Sequence, residues 1–303
     1  MVRSRALTST PKGSLEGDHP RALTIGLAQI SPVLGNVSAN LQIHLDRIDQ
    51  AQKQGVQLLC FPELSLTGYV LKDLVPDVAM AAAESSPAMA KLLAASQSMD
   101  LVFGFVEEDQ RHRYYIAAAY LSQGRMVHVH RKVYLPTYGM FEEGRYWASG
   151  DRFRAFDTPF GRLGILICED FWHISSPYTL WLDGADVLLL MSASPGRGLS
   201  PDAALGSSRS VELINQIYAT FLTNFVLHCN RVGFEDGLNF WGGSTVFGPD
   251  GKLIAQAPYF DEALLVATLD WGALRRVRIQ LPLLRDERPG LLHQELRRLL
   301  NEP

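Results

Sequence analysis

The chain has 303 residues, 47% hydrophobic and 20% charged, enough apolar material for the core of one large α/β domain. A formal net charge of -4 leaves no overall positive field to hold nucleic acid or an acidic membrane surface, so a small-molecule partner fits better. The three cysteines, Cys60, Cys168 and Cys229, are too unevenly spaced for a disulfide framework, and no apolar run approaches a membrane span, which predicts a soluble protein of the reducing cytoplasm.

Residues 1–20, rich in Ser, Thr, Pro, Gly and charge, read as a flexible tail, and residues 21–303 as a single domain. Residues 22–30 predict a first strand. A helix follows, with Val37, Leu41, Leu45, Ile48 and Ala51 at helical spacing, Asn36 or Ser38 as its cap and Gly55 as its stop. The run from Val56 ends the next strand at Glu63. An Ala-rich stretch, about residues 77–97, predicts a helix before the strand at 101–106.

Residues 114–121 and 126–130 predict a hairpin around Gln123-Gly124, after which Lys132 closes the second strand. Residues 134–151 form a long irregular segment dense in Gly, Pro, aromatics and charge, and such loops in a compact domain are usually functional. Strands at 153–156 and 163–167 flank Pro159-Phe-Gly161, and the second ends at Cys168. Next come a strand at 186–191, a helix at 208–221 and a strand at 225–230. A last pair, near 244–247 and 264–269, is expected to turn at Pro249-Asp-Gly251. Parallel crossovers mixed with hairpins, several strands being apolar on both faces, predict a layered α/β sandwich.

The chemistry concentrates at three strand ends, where open α/β sheets place their sites. Leu163-Gly-Ile-Leu-Ile-Cys168 delivers a thiol to an acidic turn, Glu169-Asp170, whereas Cys60 and Cys229 stay inside apolar runs. A thiol is a weak nucleophile until a base takes its proton, and no histidine stands in a protease-like setting here. Glu63, behind Cys60-Phe61-Pro62, is the candidate base, because desolvation adapts a carboxylate to general-base work near neutral pH. Lys132 would supply a positive charge, and the Glu169 amide a second donor, for an oxyanion. His128 and His130 alternate along one strand, but no third ligand accompanies them; they read as structural, and no metal or other cofactor is expected.

Three ordered blocks carry a further signal: Phe61-Pro62-Glu63-Leu64-Ser65-Leu66-Thr67-Gly68-Tyr69, Arg131-Lys132-Val-Tyr-Leu135-Pro136 and Leu166-Ile167-Cys168-Glu169-Asp170-Phe171-Trp172. Together with Asn230-Arg231-Val232-Gly233 and Phe240-Trp241-Gly242-Gly243-Ser244, they resemble the nitrilase or carbon-nitrogen hydrolase superfamily from residue 22 to about 289. The resemblance implies a four-layer αββα sandwich and a Glu63-Lys132-Cys168 triad, with Glu143 orienting Lys132 and the substrate while one of Glu142 and Glu143 stays solvated. It also implies an even homo-oligomer, most simply a homodimer, with residues 274–303 as an extension at the partner.

Within the superfamily, the segments around Cys168 and Tyr138 are similar to the glutaminase domain of glutamine-dependent NAD synthetase. That likeness implies a substrate pocket lined by Tyr69, Tyr138, Glu169 and Trp172, with Ser192 or Ser194 nearby. Two departures stand out: the chain ends without a synthetase domain, and Ser194-Pro195-Gly196-Arg197-Gly198-Leu199 lacks that branch's lysine. The expected activity is a cofactor-free cysteine amidohydrolase acting on glutamine or a related ω-amide. Its alternatives are a nitrilase and an ammonia-supplying partner subunit of a separate synthetase.

Overall fold

Leu23, Ile25 and Leu27 alternate along the first strand and bury completely, as a strand facing a second sheet requires. The computed structural model describes residues 21–82, 86–196 and 206–301. The expected N-terminal tail, residues 1–20, lies outside these, as do Arg197, Gly198 and Leu199.

The first half runs β1 (Ala22–Gln29), α1 (Val37–Lys53), β2 (Leu58–Cys60), α2 (Val75–Val78), α3 (Pro87–Ala95), β3 (Asp100–Glu108), β4 (Tyr114–Ser122) and β5 (Arg125–Arg131). The second half runs β6 (Phe156–Thr158), β7 (Gly161–Ile167), α4 (Ser175–Leu182), β8 (Val187–Ser192), α5 (Gly206–Phe221), β9 (Phe225–Asn230), β10 (Val232–Glu235), β11 (Leu238–Trp241), β12 (Thr245–Phe247), β13 (Leu253–Gln256), β14 (Ala263–Asp270), α6 (Trp271–Gln280), α7 (Leu283–Asp286) and α8 (Pro289–Leu300).

Two six-stranded mixed sheets result, in the orders β14-β1-β2-β3-β4-β5 and β13-β12-β9-β8-β7-β6, with β10 and β11 as a separate hairpin. Each has three parallel strands at its centre and antiparallel strands outside. One core lies between the sheets, where Leu23, Ile25 and Cys60 meet Ile165, Leu189 and Cys229. A second packs Leu41 and Ile48 of α1 and Met89 and Leu92 of α3 on the outer face of the first sheet. A third packs Trp181 of α4 and Val211 and Tyr218 of α5 on the second. The sandwich is therefore the expected αββα arrangement, and each buried Leu or Ile contributes roughly 1.5–3 kcal/mol to it.

Most local expectations hold. Asn36 caps α1 by accepting the Ala39 N–H at 3.0 Å, and the β4–β5 turn has positive φ at both Gln123 and Gly124, as a two-residue hairpin needs. Two do not. The helix expected over 77–97 is instead α2 and α3, because Met80 leaves helical geometry to bridge Glu107 in parallel and Pro87 begins a new helix at its first turn. The last strand pair is also different: the Pro249-Asp-Gly251 turn joins β12 to β13, while β14 crosses to the other sheet and pairs antiparallel with β1. No helix among the described residues is long and apolar enough to cross a membrane.

Candidate active site

β2, β5 and β7 end on the same edge of the sandwich, since β5 runs in the same direction as β3 and β2. Each end drops one charged or nucleophilic side chain into the interior. Glu63 follows β2 in a tight turn, with Leu64 at φ +48°. That turn lies flat on β3: the Phe61 N–H donates to Val102 O, the Leu66 N–H to Gly104 O, and the Gly104 N–H to Ser65 Oγ. Gly104 makes the approach possible, because a Cβ there would stand 2.3 Å from Leu64 N and 2.7 Å from Pro62 O.

Lys132 is fully buried, and its Nζ donates to Glu63 Oε1 at 2.9 Å and to Glu143 Oε1 at 2.8 Å. Tyr69 Oη donates to the same Glu143 oxygen at 2.6 Å, and Glu63 Oε2 accepts the Ala193 N–H at 2.8 Å from the end of β8. An ammonium thus bridges two buried carboxyl groups directly. Burial lowers the Lys132 pKa, but Glu143 and Glu63 outweigh that and hold it well above its ordinary value, so the charge is permanent. Burial, opposed by Lys132, pushes the Glu143 carboxyl up to about 7. Glu143 Oε2 is buried with no hydrogen-bond partner, whereas Glu142 is exposed.

Cys168 opens a short turn at φ +47°, a conformation that costs a non-glycine residue on the order of 1–3 kcal/mol. It is buried, and burial together with the Glu63 charge raises its thiol well above the usual range, with Lys132 opposing. The thiol therefore rests protonated within electrostatic reach of Glu63, Lys132, Glu143 and Glu169, a set able to move a proton and stabilise a negative oxygen.

The other expected residues fall around this cluster in different ways. Tyr138 Oη bonds both oxygens of the buried Glu169, at 3.0 and 2.9 Å, while its ring is 53% exposed. Trp172 is 46% exposed and stacks on Phe171. Ser194 is buried and gives its N–H to Asn230 Oδ1, and Ser192 Oγ joins His228 and the same amide oxygen. His128 stacks on Phe156, and His130 bonds Asp170.

Sequence reasoning missed three supports. Asp170 was visible only as the second carboxylate of an acidic turn. Glu235 accepts the N–H groups of Tyr69 and Val70, both at 2.7 Å, and pairs with the buried Arg231 at 2.6 Å. Gly104 showed only as a glycine within a strand, a signal for close backbone approach.

The layered fold is one shared by hydrolases of carbon–nitrogen bonds. The chain belongs to the carbon-nitrogen hydrolase family, whose model matches residues 24–279. It is 31% identical over 252 residues to the glutamine-dependent NAD(+) synthetase of Acinetobacter baylyi, an alignment covering 82% of this chain and 44% of that protein. The chain thus spans less than half the length of that relative. A Schizosaccharomyces pombe protein described as a probable nitrilase is 28% identical over 262 residues, covering 84% of this chain and 91% of the other. Among solved structures, the carbon-nitrogen hydrolase of Helicobacter pylori G27 superposes with a TM-score of 0.81 at 25% identity, covering 91% of this chain and 98% of that one.

Proposed function

We propose that the protein is a cysteine-dependent amidohydrolase that cleaves a small carboxamide, glutamine or a related ω-amide, to the acid and ammonia. The observation that carries this reading is the buried Lys132 bridging Glu63 and Glu143 within electrostatic reach of the buried Cys168 thiol. Glu63 takes the proton of Cys168 as Sγ bonds to the carbonyl carbon, and Lys132 with the Glu169 N–H stabilises the oxyanion. Collapse breaks the C–N bond, Glu63 returns the proton to nitrogen, and ammonia leaves a thioester. Water then attacks while Glu63 takes its proton. The C–S bond breaks, the acid departs and the thiol is restored. The unpaired Glu143 Oε2 suits an N–H of the carboxamide. Glu169, held by Tyr138, suits a substrate ammonium, and Trp172, Tyr69 and Ser194 complete the proposed pocket lining.

The test is intact mass spectrometry with parallel ammonia assays, using glutamine, aliphatic amides and aliphatic nitriles on the native protein and Cys168→Ala. An acyl adduct and ammonia from amides, both absent in the variant, are expected. Ammonia from nitriles alone would replace this reading with a nitrilase. A second reading draws on the likeness to the NAD(+) synthetase relative: the chain supplies ammonia to a separate synthetase. No hydrolysis alone, but glutamine-dependent product formation once an ammonia-dependent synthetase is added, would favour it. Exposed Leu291, Leu292, Leu296, Leu299 and Leu300 on α8 suit the homodimer contact expected for residues 274–303, which sedimentation would read as twice the chain mass.

A further inference from the structure

Asp170 lies two residues beyond Cys168, is fully buried and accepts four hydrogen bonds. Its Oδ1 takes the N–H groups of Val133 at 2.9 Å and Tyr134 at 3.0 Å, the two residues that follow Lys132. Its Oδ2 takes the N–H of Ile167 at 3.0 Å, the residue before Cys168, and meets Nε2 of His130, two residues before Lys132, at 2.8 Å. The four acceptor positions of the carboxylate are thus filled by groups flanking the ammonium on both sides and the sulfur on one.

This arrangement answers a problem set by the fold. Backbone ladders fix distances within each sheet, but Lys132 continues β5 of one sheet and Cys168 continues β7 of the other. Between sheets the contacts are mostly apolar packing, which is not directional. A carboxylate with four charge-assisted bonds is directional, and it anchors the turn in which Cys168 is held at positive φ.

We infer that Asp170 is a positioning residue for the hydrolysis: oriented by His130, it sets the spacing between the sulfur of Cys168 and the ammonium of Lys132. It acts through their backbones rather than on the substrate. The inference rests on Cys168 being the nucleophile.

Asp170→Asn separates this role from simple filling of space. However its amide is turned, the NH2 group faces either the Val133 and Tyr134 N–H groups or that of Ile167, so one loop is released while volume is kept. His130→Gln retains a donor toward Asp170, and His130→Leu removes it.

The experiment measures the rate of Cys168 alkylation by iodoacetamide from pH 6 to 9, read at that residue by peptide mass, which needs no substrate. Ammonia release from glutamine and urea midpoints are measured alongside. Asp170→Asn is expected to lower kcat about 100-fold with KM within about threefold, as a small misplacement of reacting groups does, and to shift the alkylation profile. His130→Gln is expected to stay near the parent in both, and His130→Leu to move with Asp170→Asn. Unchanged alkylation and kcat in Asp170→Asn, with Cys168→Ala inactive, would overturn the positioning role alone. Ammonia release surviving in Cys168→Ala would overturn the nucleophile reading and this role with it. Should Asp170→Asn fold poorly, the two His130 variants decide: equal profiles overturn the inference.

Discussion

Glu143 is the most informative single side chain for pH dependence. Its carboxyl titrates near 7 because burial penalises the anion more than Lys132 favours it. If the ionised form holds Lys132, kcat/KM rises with pH through an inflection near 7. Glu143→Gln should remove that inflection and lower the rate roughly 10- to 100-fold; a pH–rate series on both proteins checks it. An inflection that survives in the variant would assign the titration to another group. In the sequence Glu143 was chosen over the adjacent Glu142 by the family resemblance alone. Nothing local told them apart, because the choice is made by Tyr69 and Lys132, which arrive from other elements.

Among elements, the contact between the Glu63 turn and β3 leaves least room. A methyl group at residue 104 would meet Leu64 N at 2.3 Å, and backbone atoms cannot yield as a flexible side chain does. Gly104→Ala should therefore cost about 1–3 kcal/mol or more and displace Glu63, so the urea midpoint and ammonia release fall together. A normal midpoint with normal activity would show that the turn can lift away. At this scale the sequence was readable wherever an apolar run stopped at a polar turn, which is why β2, β5 and β7 and the residues at their ends could be placed beforehand. It was unreadable where pairing is non-local. The exposed, four-residue β13 left no strong run to mark it, and the attachment of β14 to β1 spans some 240 positions. The break between α2 and α3 was hidden for a related reason: Met80 is recruited by β3, which lies further along the chain.

Across the whole molecule, buried histidines set the response to acid. His44, bonded to Asn40 O and Ser65 Oγ behind the Glu63 turn, is lowered to about 4 by burial; His228, on β9 and bonded to Ser192 at the end of β8, is lowered to about 3 for the same reason. His128 is also lowered, to about 4. In each case the unfolded chain binds the proton more readily. The stability these groups contribute is full above pH 6.5 and is lost as pH falls toward 4, at up to about 1.4 kcal/mol per pH unit for each fully buried ring. Glu143 works in the opposite sense: its folded value exceeds the ordinary 4.5, so its contribution is present at low pH and lost as pH rises through 7. Three rings outweigh one carboxyl, and the urea midpoint should decline between pH 6.5 and 4.5. A flat or rising midpoint would show that these rings take up protons in the native state.

The pairing of β14 with β1 has a consequence for how the polypeptide is made. During synthesis β1 emerges early, yet the strand that covers its outer edge is translated some 240 residues later. Until then the nascent chain carries an open row of amide and carbonyl groups flanked by Leu23, Ile25 and Leu27, the kind of template that invites pairing with a neighbouring chain. That edge closes only once β14 has been made, not when the first half is complete.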